Sequence, residues 1–328
     1  MAERTYAKAM GIDEEAAERA TVDAPFGAAL VEVARSRGDI VGLTADLGKY
    51  TDIHPFRDAF PDRFFNVGMA EQNLVAVAAG LARTGHVPFA TTYGVFATRR
   101  AYDYIAIACA HSNVNVKIIA GLPGLTTGYG GTHQAIEDLA LMRMVPNLVV
   151  IDPCDATDIT QITHAIAASD GPVYMRLLRG KVNRVLDPDA YRFEIGKAFV
   201  LKQGTDVGIV ATGFMTERAL DAAAALTAEG VDAGVLHVPT VKPFDTETVT
   251  QFAASVRAVV TAENHVTRGG LGTQVAEALY DAGISRPLHR VGIPDAFIEL
   301  AAVPTLAERV GLTPEAIVAS ALAALKEA

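Results

Sequence analysis

The sequence is most informative at first through what it lacks. Its 328 residues contain no tryptophan and two cysteines, and aromatic residues make up 7% of it. Cys109 and Cys154 lie far apart and form no Cys-x-x-Cys motif, which excludes a disulfide framework and gives no indication of a zinc or redox site. We interpret both cysteines as buried free thiols.

The sequence also lacks an excess of positive charge and any long apolar run. The 28 Lys and Arg are outnumbered by 38 Asp and Glu, and both halves of the chain are acidic, so no nucleic-acid partner is expected. The richest apolar run stops at Arg83, well short of the ~18 residues of a membrane span. Residues 1–20 mix charges with alanines and lack the apolar core of a signal peptide. We therefore expect a cytoplasmic protein with no membrane partner.

Hydrophobic residues make up 50% of the chain, and strand-like and helical patterns alternate in both of its halves. Such alternation is typical of parallel βαβ units. At ~150 residues per domain, the length suggests two domains. The polar stretch 180–196 has neither period and is interpreted as the linker. The prediction is thus an α/β protein of two doubly wound domains, 1–185 and a smaller 186–328.

The predicted elements follow from these patterns. Strands are predicted at 40–43, 64–67, 87–91, 116–120, 148–151 and 173–176, and in the second half at 207–212, 232–238, 258–262 and 288–291. Helices are predicted at 28–36, from about 71 to 82, at 97–110, 134–144, 216–229, around 275–280 and at 304–328.

Two glycine-rich loops are candidate phosphate sites. Neither Gly121–Gly131 nor Arg268–Thr273 fits G-x-G-x-x-G or the Walker pattern, so a nicotinamide or nucleoside triphosphate site is not supported. We interpret both loops as tight connections between elements.

Other candidate residues follow predicted strands. Glu71 begins a helix after a strand, where a carboxylate either meets a ligand or merely favours the helix N-terminus. Tyr93, Phe96 and Arg99 are spaced three residues apart, so they can share one face of a helical turn. Core packing would explain the two aromatic rings, but an arginine is rarely buried in a core. His133 follows the glycine run, where either a structural role or proton transfer is plausible.

Together these segments resemble one family. Thr44-Ala-Asp-Leu47, Asn66-Val-Gly-Met-Ala-Glu-Gln72, Thr92-Tyr-Gly-Val-Phe-Ala-Thr-Arg99 and Gly131-Thr-His-Gln134 are similar to the pyrimidine-binding domain of transketolases. Pro172-Val-Tyr-Met-Arg-Leu-Leu-Arg179 resembles the end of that domain. Gly208-Ile-Val-Ala-Thr-Gly213 and Val238-Pro-Thr-Val-Lys-Pro-Phe244 resemble the transketolase C-terminal domain. The resemblance extends from about Pro25 through nearly the whole chain.

This resemblance implies thiamine diphosphate as cofactor. Glu71 matches the catalytic carboxylate that bonds N1′ of the aminopyrimidine, and His133 matches a catalytic histidine of the substrate channel. The other matches are to cofactor-binding residues (Asp46 and Leu47 near the thiazolium; Tyr93, Phe96 and Arg99 around the pyrimidine) and to substrate-binding residues (Arg179 for a sugar phosphate, with Arg176 as a weaker candidate).

One motif of full-length transketolases is missing. They hold the cofactor diphosphate and Mg²⁺ through a Gly-Asp-Gly motif, which none of the 328 residues forms. No metal ligand is therefore assigned in this chain. The resemblance implies the C-terminal subunit of a split transketolase, paired with an N-terminal subunit that carries Gly-Asp-Gly, in an α2β2 assembly acting on sugars or sugar phosphates.

The resemblance leaves the substrate open. Four residues before the histidine, transketolases usually carry an aspartate that binds the donor, and here the position is Tyr129; near Asp23 a phosphate-binding arginine is also missing. The alternatives are a 2-oxo acid dehydrogenase β-subunit, whose loop usually has His-Ser-Gln, a deoxyxylulose-phosphate synthase, which shares Tyr93, Phe96 and Arg99, and a non-catalytic pairing subunit.

Overall fold

A computed structural model describes residues 19–328 of the chain. Most of the N-terminal stretch that lacks a signal-peptide core lies outside these residues. Within them, short parallel strands alternate with helices, as the apolar patterns predict. No helix between residues 19 and 328 is both long enough and apolar enough to cross a membrane.

The first half contains the strands β1 (Thr21–Asp23), β2 (Ile40–Thr44), β3 (Phe64–Asn66), β4 (Val87–Tyr93), β5 (Lys117–Gly121), β6 (Val149–Ile151), β7 (Val173–Leu177) and β8 (Lys181–Asn183). Its helices are α1 (Pro25–Ser36), α2 (His54–Ala59), α3 (Glu71–Arg83), α4 (Gly94–Tyr104), α5 (Asp138–Arg143) and α6 (Ala156–Ala168), with a 3-10 turn at Pro61–Arg63.

The second half contains the strands β9 (Phe199–Lys202), β10 (Val207–Ala211), β11 (Ala233–His237), β12 (Thr240–Lys242), β13 (Ala258–Val266) and β14 (Leu288–Ile293). Its helices are α7 (Met215–Ala228), α8 (Thr246–Ala254), α9 (Leu271–Asp281), α10 (Val303–Val310) and α11 (Pro314–Leu325).

Two sheets form the cores of the two domains. The first has the strand order β12-β6-β7-β5-β4-β2-β3 and the second β14-β13-β10-β11-β9. Only β12 and β9 run antiparallel to their neighbours in these sheets. Helices cover both faces, because parallel strands are buried on both sides and are apolar along their length. The predicted α/β fold of two doubly wound domains is confirmed.

Three predicted elements differ from the structure. The helix predicted at 134–144 spans only Asp138–Arg143, because Ala135 forms a bridge with Pro123 and keeps the preceding residues irregular. The helix predicted at 97–110 continues beyond Tyr104 as a π-helix, Ile105–His111. The predicted C-terminal helix is two helices, separated at Gly311, which adopts φ +75°.

Buried polar contacts join the two domains. Asn264 donates to the carbonyl oxygen of Pro123 at 3.0 Å and accepts from the amide of Leu125 at 2.8 Å. Asp158 of α6 is 3.0 Å from Nε2 of His237 in β11, and both side chains are fully buried. Such contacts hold the domains in one arrangement, since opening them would leave buried polar groups unpaired.

Cys154 lies beside this Asp158–His237 pair, with its sulfur within 4.8 Å of their ligand atoms. The carboxylate of Asp158 also accepts from the Cys154 amide at 3.0 Å and from the Tyr191 hydroxyl at 2.8 Å, so it is already well paired. Burial raises the pKa of the Cys154 thiol well above its ordinary value. The prediction of buried free thiols is confirmed for both cysteines.

Candidate active site

The candidate residues gather at the carboxyl ends of the first sheet. β3 lies on one side of β2 and β4 lies on the other. The order in which successive strands are added to the sheet therefore reverses at the boundary between β2 and β4. Crevices at such reversals are the usual ligand sites of open parallel sheets. Leu47 follows β2, Tyr93 ends β4, and the loop carrying His133 follows β5.

Two neighbouring aromatic rings, tilted against each other by 36°, lie at this edge of the sheet. The rings of Tyr93 and Phe96 have centroids 5.6 Å apart, and the two residues are 7% and 9% exposed. Leu47 and Leu122 pack against the same cluster. Burial raises the pKa of the Tyr93 hydroxyl, which therefore stays protonated at neutral pH. The cluster offers an aromatic and apolar surface of the kind that binds a heterocycle.

His133 lies between three aromatic rings. Its centroid is 5.4 Å from that of Phe96, 5.5 Å from Tyr129 and 6.1 Å from Tyr93, in edge-on geometry. Its Nδ1 is 2.9 Å from the hydroxyl of Thr132. Burial, reinforced by the nearby guanidinium of Arg100, lowers the pKa of the imidazole. His133 is thus held as a neutral imidazole at pH 7, able to accept or donate a proton.

Glu71 is the first residue of α3 and is 2% exposed. One of its oxygens accepts a hydrogen bond from Nη1 of Arg100 at 2.9 Å. The guanidinium of Arg100 also lies over the ring of Phe96, 4.0 Å from the centroid. The carboxylate thus lies at a helix N-terminus and is paired with an arginine. A buried acceptor thus lies at the edge of the ring cluster.

Asp46 is held in an uncommon backbone conformation by Asn66. Its φ is +58°, in the left-handed region that only glycine adopts freely. Oδ1 of Asn66 accepts from the amides of Asp46 and Gly68, each at 3.0 Å, and its Nδ2 donates to the Asp46 carboxylate at 3.0 Å. These bonds fix the turn that directs Leu47 toward the rings.

Arg179 lies two residues after the end of β7. Its guanidinium is 5.9 Å from the centroid of Tyr50 and acts electrostatically on the Tyr93 hydroxyl. The adjacent amide of Gly180 donates to the buried carboxylate of Asp52 at 2.6 Å, which fixes the backbone at this point. Arg179 is therefore positioned near the same crevice as a cation.

Arg99 contacts the glycine-rich loop and not the rings of Tyr93 and Phe96. It donates to Glu137 at 2.9 Å and to the carbonyl oxygen of Gly131 at 2.7 Å. Its guanidinium is 5.7 Å from the ring of Phe297, which the second domain contributes. We therefore assign Arg99 to positioning of the loop that carries His133.

Arg176 is not part of the crevice, which corrects its assignment as a possible sugar-phosphate ligand. Its side chain is 1% exposed, and it is paired with Asp138 and Asp152. Its Nη2, which pairs with Asp138, also lies 3.4 Å from the carbonyl oxygen of Ala135. A sugar phosphate cannot reach it while this buried network is intact, so we leave Arg176 out of the proposed site.

Sequence reasoning missed Arg100 and Asn66. Arg100 follows Arg99 on α4, and one residue along a helix turns a side chain by about 100°, which brings Arg100 and not Arg99 to Glu71. The two adjacent arginines in the sequence indicate that either side chain could face the site. Asn66 opens the quoted motif but makes only local contacts with Asp46 and Gly68, which no spacing in the sequence indicates.

Fold and site together define a two-domain α/β protein with a ring-lined crevice and a buried carboxylate at a sheet reversal. The sequence matches the transketolase pyrimidine-binding domain over residues 18–184 and the transketolase C-terminal domain over residues 196–317. The chain belongs to the transketolase family.

Relatives of similar length support this membership. A transketolase family protein of Sinorhizobium fredii is 54% identical, with 92% of this chain and 88% of the relative covered. A 6-deoxy-6-sulfo-D-fructose transketolase subunit of a Clostridium species is 43% identical, with 89% and 90% covered. A 1-deoxy-D-xylulose-5-phosphate synthase of Caldanaerobacter subterraneus is 34% identical over 92% of this chain but 48% of its own length.

A solved structure shares the whole arrangement. It is a split gene transketolase in an inactive β4 tetramer, 46% identical, with a TM-score of 0.86. The similarity covers 92% of this chain and 97% of that one. Both domains and their relative placement are therefore common to the two chains.

Proposed function

We propose that this chain is the subunit of a thiamine diphosphate-dependent transketolase that holds the cofactor's pyrimidine ring. The reaction would transfer a two-carbon ketol unit from a ketose, or its phosphate, to an aldose. The observation that carries the proposal is the buried carboxylate of Glu71 beside the Tyr93–Phe96 rings. Thiamine diphosphate, when bound, supplies a carbon nucleophile and an electron sink.

The residues of the crevice fit the pyrimidine half of that cofactor. The Glu71 carboxylate would accept a hydrogen bond from a ring nitrogen and so set the ring's tautomer, while Phe96 and Tyr93 would stack against it. Leu47, at the fixed turn after β2, would support the neighbouring thiazolium ring, with Asp46 beside it. Arg99 would hold the loop that closes over the site.

The substrate end would be formed by His133, Tyr129 and Arg179. His133, neutral at pH 7, can hydrogen-bond or transfer a proton to the donor's oxygens. Tyr129 packs edge-on against His133 and is 44% exposed, so its side chain would be accessible to an incoming sugar. Arg179 supplies a cation for a phosphate or another anionic terminus.

The proposal places the diphosphate and Mg²⁺ half of the site on a separate N-terminal subunit, because these 328 residues form no Gly-Asp-Gly. The relatives support this division, since one is named a transketolase subunit and another a split gene transketolase. An α2β2 assembly in the cytoplasm is part of the proposal.

The test compares the purified chain with the chain reconstituted with a Gly-Asp-Gly subunit, each with thiamine diphosphate and Mg²⁺. We expect ketol transfer only in the reconstituted complex, and its loss in Glu71→Ala. Robust turnover by the chain alone would contradict the division of the site. Unchanged turnover in Glu71→Ala would indicate a non-catalytic pairing subunit.

The second candidate is a deoxyxylulose-phosphate synthase-like reaction, favoured by the 34% identity to that enzyme. Offering pyruvate with glyceraldehyde 3-phosphate to the complex separates the candidates, because that synthase decarboxylates pyruvate whereas a transketolase needs a ketose donor. Release of CO₂ without ketol transfer would favour the synthase. A 2-oxo acid dehydrogenase β-subunit would instead require a lipoyl acceptor.

A further inference from the structure

The Arg100 side chain makes two contacts inside the crevice. Its guanidinium donates to Oε1 of Glu71 at 2.9 Å and lies 4.0 Å from the centroid of the Phe96 ring. The Glu71 side chain is 3% exposed, whereas that of Arg100 is 47% exposed. Arg100 thus reaches from the surface of α4 over the Phe96 ring to the buried carboxylate of Glu71.

These are the contacts that the aminopyrimidine ring would need. The ring is planar and would stack on an aromatic side chain, and one of its nitrogens would be hydrogen-bonded to a carboxylate. A guanidinium is also planar, stacks on aromatic faces and donates to carboxylates. Because Phe96 is only 9% exposed, it leaves little surface for a second planar group while Arg100 is in place.

We propose that Arg100 occupies the pyrimidine subsite of the free chain and must leave before the ring can bind. This inference rests on the proposed function and adds an autoinhibitory contact to it. Arg100 would then compete with the cofactor for Glu71 and Phe96, and would not assist it.

Departure of Arg100 requires no opening of the core. Nearly half of its side chain already contacts solvent. Asp103, three residues further along α4, is exposed and on a neighbouring part of the helix surface, where it can pair with an arginine that has left Glu71. Arg100 therefore has two positions available, one that closes the subsite and one that opens it.

When a side chain covers a site for part of the time, the apparent affinity for the ligand equals the affinity of the open site multiplied by the fraction of time that the site is open. If Arg100 covers the subsite for about nine-tenths of the time, removing it strengthens pyrimidine binding about tenfold. If Arg100 instead positions Glu71 for the ring, removing it weakens binding. The two roles predict opposite signs, so one measurement separates them.

The experiment uses the full chain and 4-amino-5-hydroxymethyl-2-methylpyrimidine, which needs only the pyrimidine half of the site. Its affinity is measured by ligand-observed NMR for wild type, Arg100→Ala, Glu71→Gln and the control Arg83→Ala. Arg83 carries the same charge on the exposed side of α3, where it donates to Ser112 at 2.8 Å. Circular dichroism confirms that each variant is folded.

We expect Arg100→Ala to bind about tenfold more tightly than wild type, and Arg83→Ala to match wild type within twofold. Equal or weaker binding by Arg100→Ala, together with loss of binding in Glu71→Gln, would overturn the inference and leave the pyrimidine site standing. Absence of binding by both wild type and Arg100→Ala would overturn the inference, whereas the proposed function is tested separately by ketol transfer in the reconstituted complex.

Discussion

Arg176 and Asp138 form an ion pair without solvent contact where the two domains meet. Nε of Arg176 is 2.8 Å from Oδ2 of Asp138, and the side chains are 1% and 0% exposed. The Tyr174 hydroxyl donates to the same oxygen at 2.7 Å, and the Asn264 carbonyl of the second domain accepts from Arg176 at 3.2 Å. Burial alone would raise the pKa of Asp138, but Arg176 outweighs it and the pKa is lowered.

Removing the charge of Arg176 should destabilise the protein strongly. Arg176→Met leaves Asp138 buried without its cation, which costs about 3–5 kcal/mol in comparable buried pairs. Urea unfolding measures the change. The control is Arg257→Met, at an exposed pair with Asp206, which should cost less than about 1 kcal/mol. Similar losses in the two variants would show that the buried pair contributes no more than a surface pair.

Glu263 should make stability depend on pH. Burial raises its pKa to about 7, although the amides of Leu271 and Gly272 donate to it and oppose the shift. Between its ordinary value of 4.5 and about 7, the folded protein therefore holds a proton that the unfolded chain releases. This contribution to stability is complete below pH 4.5 and is lost as the pH rises through 7.

The glutamine in Glu263→Gln does not titrate, so the stability of the variant relative to wild type should increase as the pH rises. We expect the difference in free energy of unfolding to move in favour of the variant by about 2 kcal/mol between pH 5 and pH 8. Urea titrations at four pH values in this range measure it. Parallel profiles for the two proteins would contradict the raised pKa.

Gly124 should tolerate a methyl group much less well than Gly85. Both have positive φ, +53° and +91°, so alanine is strained at each by about 1 kcal/mol. A Cβ on Gly124 would also lie 2.3 Å from the amide group of Asn264, which joins the domains, whereas none of the described atoms lies within 4 Å of one on Gly85. We expect Gly124→Ala to cost about 3 kcal/mol in unfolding free energy, with Gly85→Ala as the control. Equal costs would mean that Asn264 moves aside freely.

His133 should set the acid limb of activity in the reconstituted complex. Burial is the larger cause of its lowered pKa and persists when Arg100 leaves the crevice, so the neutral imidazole remains below its ordinary pKa of about 6.5. The acid limb of kcat/KM should therefore fall below pH 6.5. His133→Asn should lower kcat by about a hundredfold and abolish this limb. An unchanged limb in the variant would assign it to another group.

The features that the sequence predicts are those that depend on residues close together in the sequence. Apolar periodicity located the parallel strands of both sheets but not the antiparallel β1, β8, β9 and β12. The ends of the parallel strands located Glu71, Tyr93 and His133, because parallel strands bring their carboxyl ends to one edge. Arg176 was misplaced because an arginine near a strand end resembles a ligand, and its partners Asp138 and Asp152 are distant in sequence. Arg99 and Arg100 are adjacent on one helix, and the periodicity of the sequence does not decide which of the two side chains faces Glu71.

The strand β12 crosses the boundary between the two domains. Thr240–Lys242 lies within the second family match, yet it pairs antiparallel with β6 and completes the edge of the first sheet. A fragment that ends at residue 185 would expose the unpaired backbone of Val149–Ile151, an open edge of the kind that recruits other strands and aggregates. Expression of the first domain alone would therefore give an aggregation-prone fragment, even though the family match of that domain ends at residue 184, before β12.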